Sequence, residues 1–129
     1  MRLRKFMTAV AVSGLAFSGL AVAATPSTAA EHNGVCESGE FCLWYNPNYA
    51  NGIWDMYGSD SNLHDNYFIG NSSQVVGNNS ASAKNRDSYR WYVCDGTGYT
   101  TCTGWYDPGD VNPLMTSWRN KISSAYWTS

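Results

Sequence analysis

The stretch Asn78-Asn79-Ser80-Ala81-Ser82-Ala83 decides how this chain is read. It returns in altered form as Arg119-Asn120-Lys121-Ile122-Ser123-Ser124, with Asn79 matching Asn120 and Ser82 matching Ser123 at an offset of 41 residues. A tight polar hexamer that recurs once at such a spacing predicts two copies of one supersecondary unit. An aromatic, strand-like run precedes each copy: Phe41-Cys42-Leu43-Trp44-Tyr45, then Tyr89-Arg90-Trp91-Tyr92-Val93-Cys94. Each half also carries one closely spaced cysteine pair.

Working outward, the turns set the strand boundaries. Asn46-Pro47-Asn48 is turn chemistry, because Pro fixes φ and Asn tolerates the left-handed region. Gly52 to Tyr57 is then the return strand. Tyr67-Phe68-Ile69 and Gln74-Val75-Val76 are short strand candidates before the first hexamer. In the second half, Tyr89 to Cys94 is a strand, Gly96-Thr97-Gly98 a turn and Tyr99 to Tyr106 a strand. Asp107-Pro108-Gly109-Asp110 is a turn. Val111 to Trp118 is ambiguous because Pro113 argues against a central strand, and Ile122 to Trp127 closes the chain. Eight short strands in two groups of four predict an all-β sandwich of two Greek-key motifs sharing one core.

The first thirty residues differ from the rest. Arg2, Arg4 and Lys5 precede an uncharged apolar run from Phe6 to Ala24. Small residues then offer cleavage after Ala23 or after Ala30. Basic, apolar, then small is the order of a secretory signal. A membrane anchor is the rival, since the run approaches spanning length. Gly14, Gly19 and the many Ala and Ser favour the cleaved signal, so residues 1–30 are read as a signal peptide and 31–129 as a single domain. Export would lower the formal charge from −2 to −5, because the signal takes three basic residues and no acidic ones. That balance argues against nucleic acid and against anionic membranes. The chain is expected to act as a monomer.

Beyond residue 30 there are six Trp and nine Tyr but only three Leu. Such a composition fits short strands and tight turns rather than helical bundles. Cys36, Cys42, Cys94 and Cys102 allow three disulfide connectivities. In an exported chain the close spacings favour Cys36–Cys42 and Cys94–Cys102. A tetrathiolate zinc site ranks below, because five and seven intervening residues exceed the usual ligand spacing.

Several of these residues carry a resemblance. Tyr45 to Gly52 resembles the aromatic-to-glycine turn that opens a βγ-crystallin Greek key. Asn78-Asn79-Ser80-Ala81-Ser82 resembles that family's Asn/Asp-Asn/Asp-x-x-Ser/Thr element, and Asn120-Lys121-Ile122-Ser123-Ser124 matches most of it again. With the signal and the two cysteine pairs, the chain resembles the small secreted metalloproteinase inhibitors of actinomycetes. The resemblance implies a βγ-crystallin-like sandwich and an extracellular peptidase as partner. Arg119 stands where an acid or amide is expected, and the second aromatic-to-glycine turn departs from the first in sequence.

The resemblance also implies sites. The family is thought to inhibit through a loop near its second disulfide, which places the contact in Cys94-Asp95-Gly96-Thr97-Gly98-Tyr99-Thr100-Thr101-Cys102. A closed ring that presents an extended segment with fixed ends loses little entropy on binding. Thermolysin-like metallopeptidases favour a bulky apolar residue after the scissile bond. Within the ring this makes Gly98–Tyr99 the candidate bond. Asn78, Asn79 and Ser82 could supply part of a calcium shell, but all three are neutral, so binding would be weak. Their alternative use is to hold a tight turn by bonding nearby backbone. No other cofactor is expected.

Catalysis has little to stand on. His32 and His64 are the two histidines, all three Glu precede Phe41, and no phosphate loop or zinc-protease motif occurs. His64, Asp65 and a serine have the residue types of a triad but no spacing that joins them. The alternative function is a non-inhibitory module that binds calcium or cell-surface carbohydrate. One or two exposed Trp on a flat face would favour the sugar.

Overall fold

The computed structural model describes residues 30–129, so the expected signal peptide lies outside the described residues, apart from Ala30. The strands are β1 (Phe41–Asn46), β2 (Ala50–Met56), β3 (Tyr67–Phe68), β4 (Asn71–Val75), β5 (Ser82–Asn85), β6 (Arg90–Cys94), β7 (Gly104–Tyr106), β8 (Val111–Asn112) and β9 (Ser124–Thr128). A 3-10 turn, Leu63–Asp65, is capped by Asn62, whose side chain accepts from His64 N. The first sheet has the order β2-β1-β5-β8 and the second β7-β6-β9, with β3-β4 as a separate hairpin.

Each half reaches into the other half's sheet, the second by the strand β8 and the first by a single bridge at Asp60. Val111–Asn112 pairs with β5, and Asp60 bridges to Ala125 on β9. This exchange makes two Greek keys into one sandwich. Between the sheets lie Phe41, Leu43, Trp54, Met56 and Ala83 from the first and Trp91, Val93, Tyr106, Ala125 and Trp127 from the second. Leu63, Phe68, Val76, Met115 and Ile122 on the connections fill the rest. Aromatics do the filling that Leu does elsewhere: Phe41 stacks on Trp91 with centroids 5.1 Å apart and meets Tyr106 at 5.2 Å. Both disulfides close locally, Cys36–Cys42 and Cys94–Cys102, and no described cysteine is free.

Three local expectations change. Ser82–Asn85 is a strand, whereas the sequence reads there as the end of a turn element. Its alternate residues are all small or polar, and only pairing with β1 on one side and β8 on the other reveals it. The strand expected over Tyr99 to Tyr106 shrinks to Gly104–Tyr106, because Gly98, Tyr99 and Thr101 take positive φ (67°, 64° and 56°). Val111 to Trp118 keeps two strand residues, with Pro113 just past them.

The repeat is also one residue out of register. Ser82 Oγ donates to Asn46 O and accepts from Tyr49 N, at 2.7 and 3.0 Å. Ser124, not Ser123, repeats this: it donates to Gly96 O and accepts from Tyr99 N, at 2.6 and 3.1 Å. Asn78 and Asn120 share positive φ (62° and 58°). The two serine elements therefore correspond at an offset of 42, which puts Arg119 outside the motif and Lys121 opposite Asn79. The turns correspond at an offset of 50. Asn48, Tyr49 and Asn51 have φ of 61°, 59° and 61°, the same pattern as Gly98, Tyr99 and Thr101. The second aromatic-to-glycine turn thus differs in sequence but shares these three left-handed positions. Gly98 supplies without strain the left-handed geometry that Asn48 adopts in the first half.

Candidate functional site: the disulfide-closed loop

The Cys94–Cys102 loop is a curled turn, not an extended one. Asp95 N donates to Thr101 O and Gly96 N to Thr100 O, both at 3.0 Å. Gly98 N donates to Ser61 O at 2.8 Å, which ties the tip to the first half of the chain. Ser124 holds the turn from beneath through Gly96 O and Tyr99 N. Cys94 is buried at the base, while Asp95, Thr97, Gly98, Tyr99, Thr100 and Thr101 are exposed. Tyr99 is 41% exposed, and its ring packs edge-on against Tyr126 with centroids 5.4 Å apart. The Gly98–Tyr99 bond therefore lies in left-handed backbone clamped by Ser61 and Ser124. The sequence spacing shows the ring but not this clamp, because Ser61 and Ser124 are remote from it in the chain.

The three calcium candidates are employed within the fold. Ser82 is buried and joins Asn46 to Tyr49. Asn79 Nδ2 donates to Val75 O at 2.9 Å. Asn78 Oδ1 accepts from Ser123 Oγ at 3.0 Å. These bonds fit the turn-holding role better than an open cation shell. Among the described residues no group of three or more His, Cys, Asp and Glu is placed to hold a metal.

His64 does meet a serine, which the sequence could not foretell. Its Nε2 lies 2.9 Å from Ser123 Oγ. Ser123 is buried and gives its one proton to Asn78 Oδ1, so its oxygen accepts from the imidazole. A nucleophile needs the opposite polarity, with the ring taking the serine proton. The other histidine, His32, stacks on Trp54 at 3.9 Å. It belongs to an N-terminal segment held by Asp55, which accepts from Asn33 N and Gly34 N at 2.9 and 3.0 Å.

One buried acid has no evident task in the loop. Glu40 is fully buried, Oε1 accepts from Glu37 N at 2.8 Å, and Oε2 has no partner. Burial pushes its pKa up to about 7. The Glu37 amide opposes this and the charges of Asp55, Glu37 and Glu31 reinforce it.

Comparison with known proteins agrees on fold and family. A structure from work on the evolution of the eye-lens βγ-crystallin domain fold matches with a TM-score of 0.61 at 12% identity, over 74% of this chain and 91% of that one. A βγ-crystallin from Ciona intestinalis gives 0.55 at 19% identity, over 70% and 100%. A βγ-crystallin domain from Clostridium beijerinckii gives 0.52 at 14%, over 68% and 95%. At these identities the likeness establishes the sandwich alone. No curated protein matches the chain in sequence. Function enters through residues 29–106, which hold both disulfides and the clamped loop and which match one family model as a block; by that match the chain belongs to peptidase inhibitor family I36.

Proposed function

We propose that this protein is a secreted, monomeric inhibitor of an extracellular metallopeptidase and that the Cys94–Cys102 loop enters the target's cleft. The observation that carries the reading is the clamped loop. A disulfide, Ser61 and Ser124 hold six exposed residues in one shape, so docking costs little ordering entropy. The curled backbone makes Tyr99 an anchor that presents its ring. Reading Gly98–Tyr99 as a substrate-like bond would require releasing Ser124 first. The metallopeptidase class comes from the resemblance. The secretory signal supplies the compartment, in keeping with the two disulfides.

The test is inhibition titration against a panel of metallo-, serine and cysteine peptidases. Tyr99→Ala is expected to raise the inhibition constant for the susceptible enzyme at least ~10-fold. Ser124→Ala should weaken inhibition with Tyr99 still in place. If both variants inhibit as the wild type does, the loop is not the contact.

Calcium takes a minor part in this proposal. Calorimetry is expected to show at most weak binding, in roughly the millimolar range. Asn79→Ala should abolish whatever binding is present. Micromolar binding that survives this change would mean that other oxygens form the site.

A further inference from the structure

The two sheets differ in what lies on their outer faces. On the first, the row Asp55–Cys42–Lys84 runs across β2, β1 and β5. Asp55 and Cys42 are fully buried. The segment before Cys36 covers them: it donates Asn33 N and Gly34 N to Asp55, and Cys36 closes onto Cys42. The pseudo-symmetry of the halves maps this row onto Trp105–Tyr92–Tyr126, which runs across β7, β6 and β9. Apart from Tyr99 of the loop at its Tyr126 end, no described segment of the chain covers this second row. Trp105 is 52% exposed, and Tyr92 and Tyr126 are half-buried.

The row is ordered without a cover. Tyr92 stacks on Tyr126 with centroids 5.1 Å apart, and Tyr126 carries Tyr99 of the loop at its far side. Arg90 lies over Trp105 at 5.1 Å and over Tyr92 at 5.9 Å, and its Nε donates to Asp107 at 2.6 Å. Side chains already held in place lose little freedom on docking. Beside Trp105 a cleft of about 270 Å³ is walled by Val111 and Trp118. Gly104 leaves room for the Trp118 indole, where a Cβ would collide with it.

We propose that this aromatic row, from Trp105 to Tyr126, is the second half of the surface that binds the target peptidase. The proposal rests on the inhibitor reading above and extends it from the loop to the sheet. Three observations select a peptidase as the occupant. The loop and the row are continuous through the Tyr99–Tyr126 contact. A stable interface needs roughly 800 Å² on each partner, about 20–30 residues, which a nine-residue ring does not supply. The equivalent face of the first half is covered by irregular polypeptide, so this sheet geometry accepts a protein surface. Trp, Tyr and Arg are also the residue types that dominate binding hot spots.

The experiment measures inhibition constants and dissociation rates on a susceptible peptidase. The proteins are wild type, Trp105→Ala, Trp105→Phe and, as a control, Val35→Ala on the opposite face. Unchanged urea midpoints and intact disulfides establish that each is folded. Trp105→Ala is expected to raise the inhibition constant about 10-fold or more, mainly through faster dissociation. Trp105→Phe should stay within about threefold of wild type, and Val35→Ala should match it. If wild type inhibits and Trp105→Ala inhibits equally well, the row is not part of the interface, while the inhibitor reading stands. If wild type inhibits no peptidase, both fall together. Binding to insoluble chitin, cellulose or peptidoglycan that Trp105→Ala abolishes, with inhibition intact, would assign the face to sugar and overturn the proposal.

Discussion

Replacing Trp91 by alanine is expected to cost about 3–5 kcal/mol of folding stability. Trp91 is fully buried where the sheets meet, stacked on Phe41 of the first sheet. Its Nε1 donates to the buried Asp87 Oδ2 at 3.0 Å. Alanine would leave a cavity the size of an indole, and a close-packed sandwich cannot collapse around it fully. It would also take away a donor that Asp87 uses. The loss approaches the whole stability of a domain of this size, and corresponds to a fall in Tm on the order of 15–30 °C. Thermal and urea unfolding measure it. A loss below ~1 kcal/mol would mean that the halves do not depend on one shared core.

Glu40 should make the protein less stable as pH rises through neutrality. Its folded pKa of about 7 lies above the ordinary 4.5. Between those values the folded protein holds a proton that the unfolded chain gives up. Stability therefore falls with rising pH across this window and levels off above it. The group contributes most below pH 4.5, where both states are protonated. Above pH 7 it has cost about 2–3 kcal/mol, after allowance for residual solvent screening. Asp55, Glu37 and Glu31 face it and add to the cost of its charge. Glu40→Gln keeps a neutral side chain at every pH. Its urea midpoint should be flat between about pH 4.5 and 7 relative to wild type, and higher than wild type at pH 8. The comparison at three pH values decides this. A wild-type midpoint that rises over the same window, with the variant no more stable at pH 8, would mean that the carboxylate is solvated or paired.

Much of the fold was legible in the chain. Strand-like aromatic runs, Asn-Pro-Asn and Asp-Pro-Gly turns, paired cysteines and a repeated Asn/Ser element each report on local backbone. Local backbone is what sequence patterns encode. β1, β2, β6 and β9 lie within two residues of where those patterns put them at either end. β5 was not legible, because its pattern reflects neighbours on both sides rather than its own residues. The register of the repeat was not legible either. Ser123 and Ser124 are adjacent and chemically identical, and only the carbonyl of Gly96 and the amide of Tyr99 distinguish them.

The candidate site divides along the same line. The Cys94–Cys102 ring and its tyrosine could be named from spacing and resemblance, because a short disulfide loop is a local object. Its curled shape could not, since Ser61 and Ser124 impose it from elsewhere in the chain. The aromatic row depends on the tertiary structure still more. Tyr92, Trp105 and Tyr126 are in three different strands, and each looks like one more core aromatic. Only strand pairing puts them side by side, and only the absence of a described covering segment leaves them exposed. The sequence by itself determined that this is a disulfide-stapled all-β pair of Greek keys. The tertiary structure decided which face lies open, because exposure depends on what packs against a residue and no residue type carries that information alone.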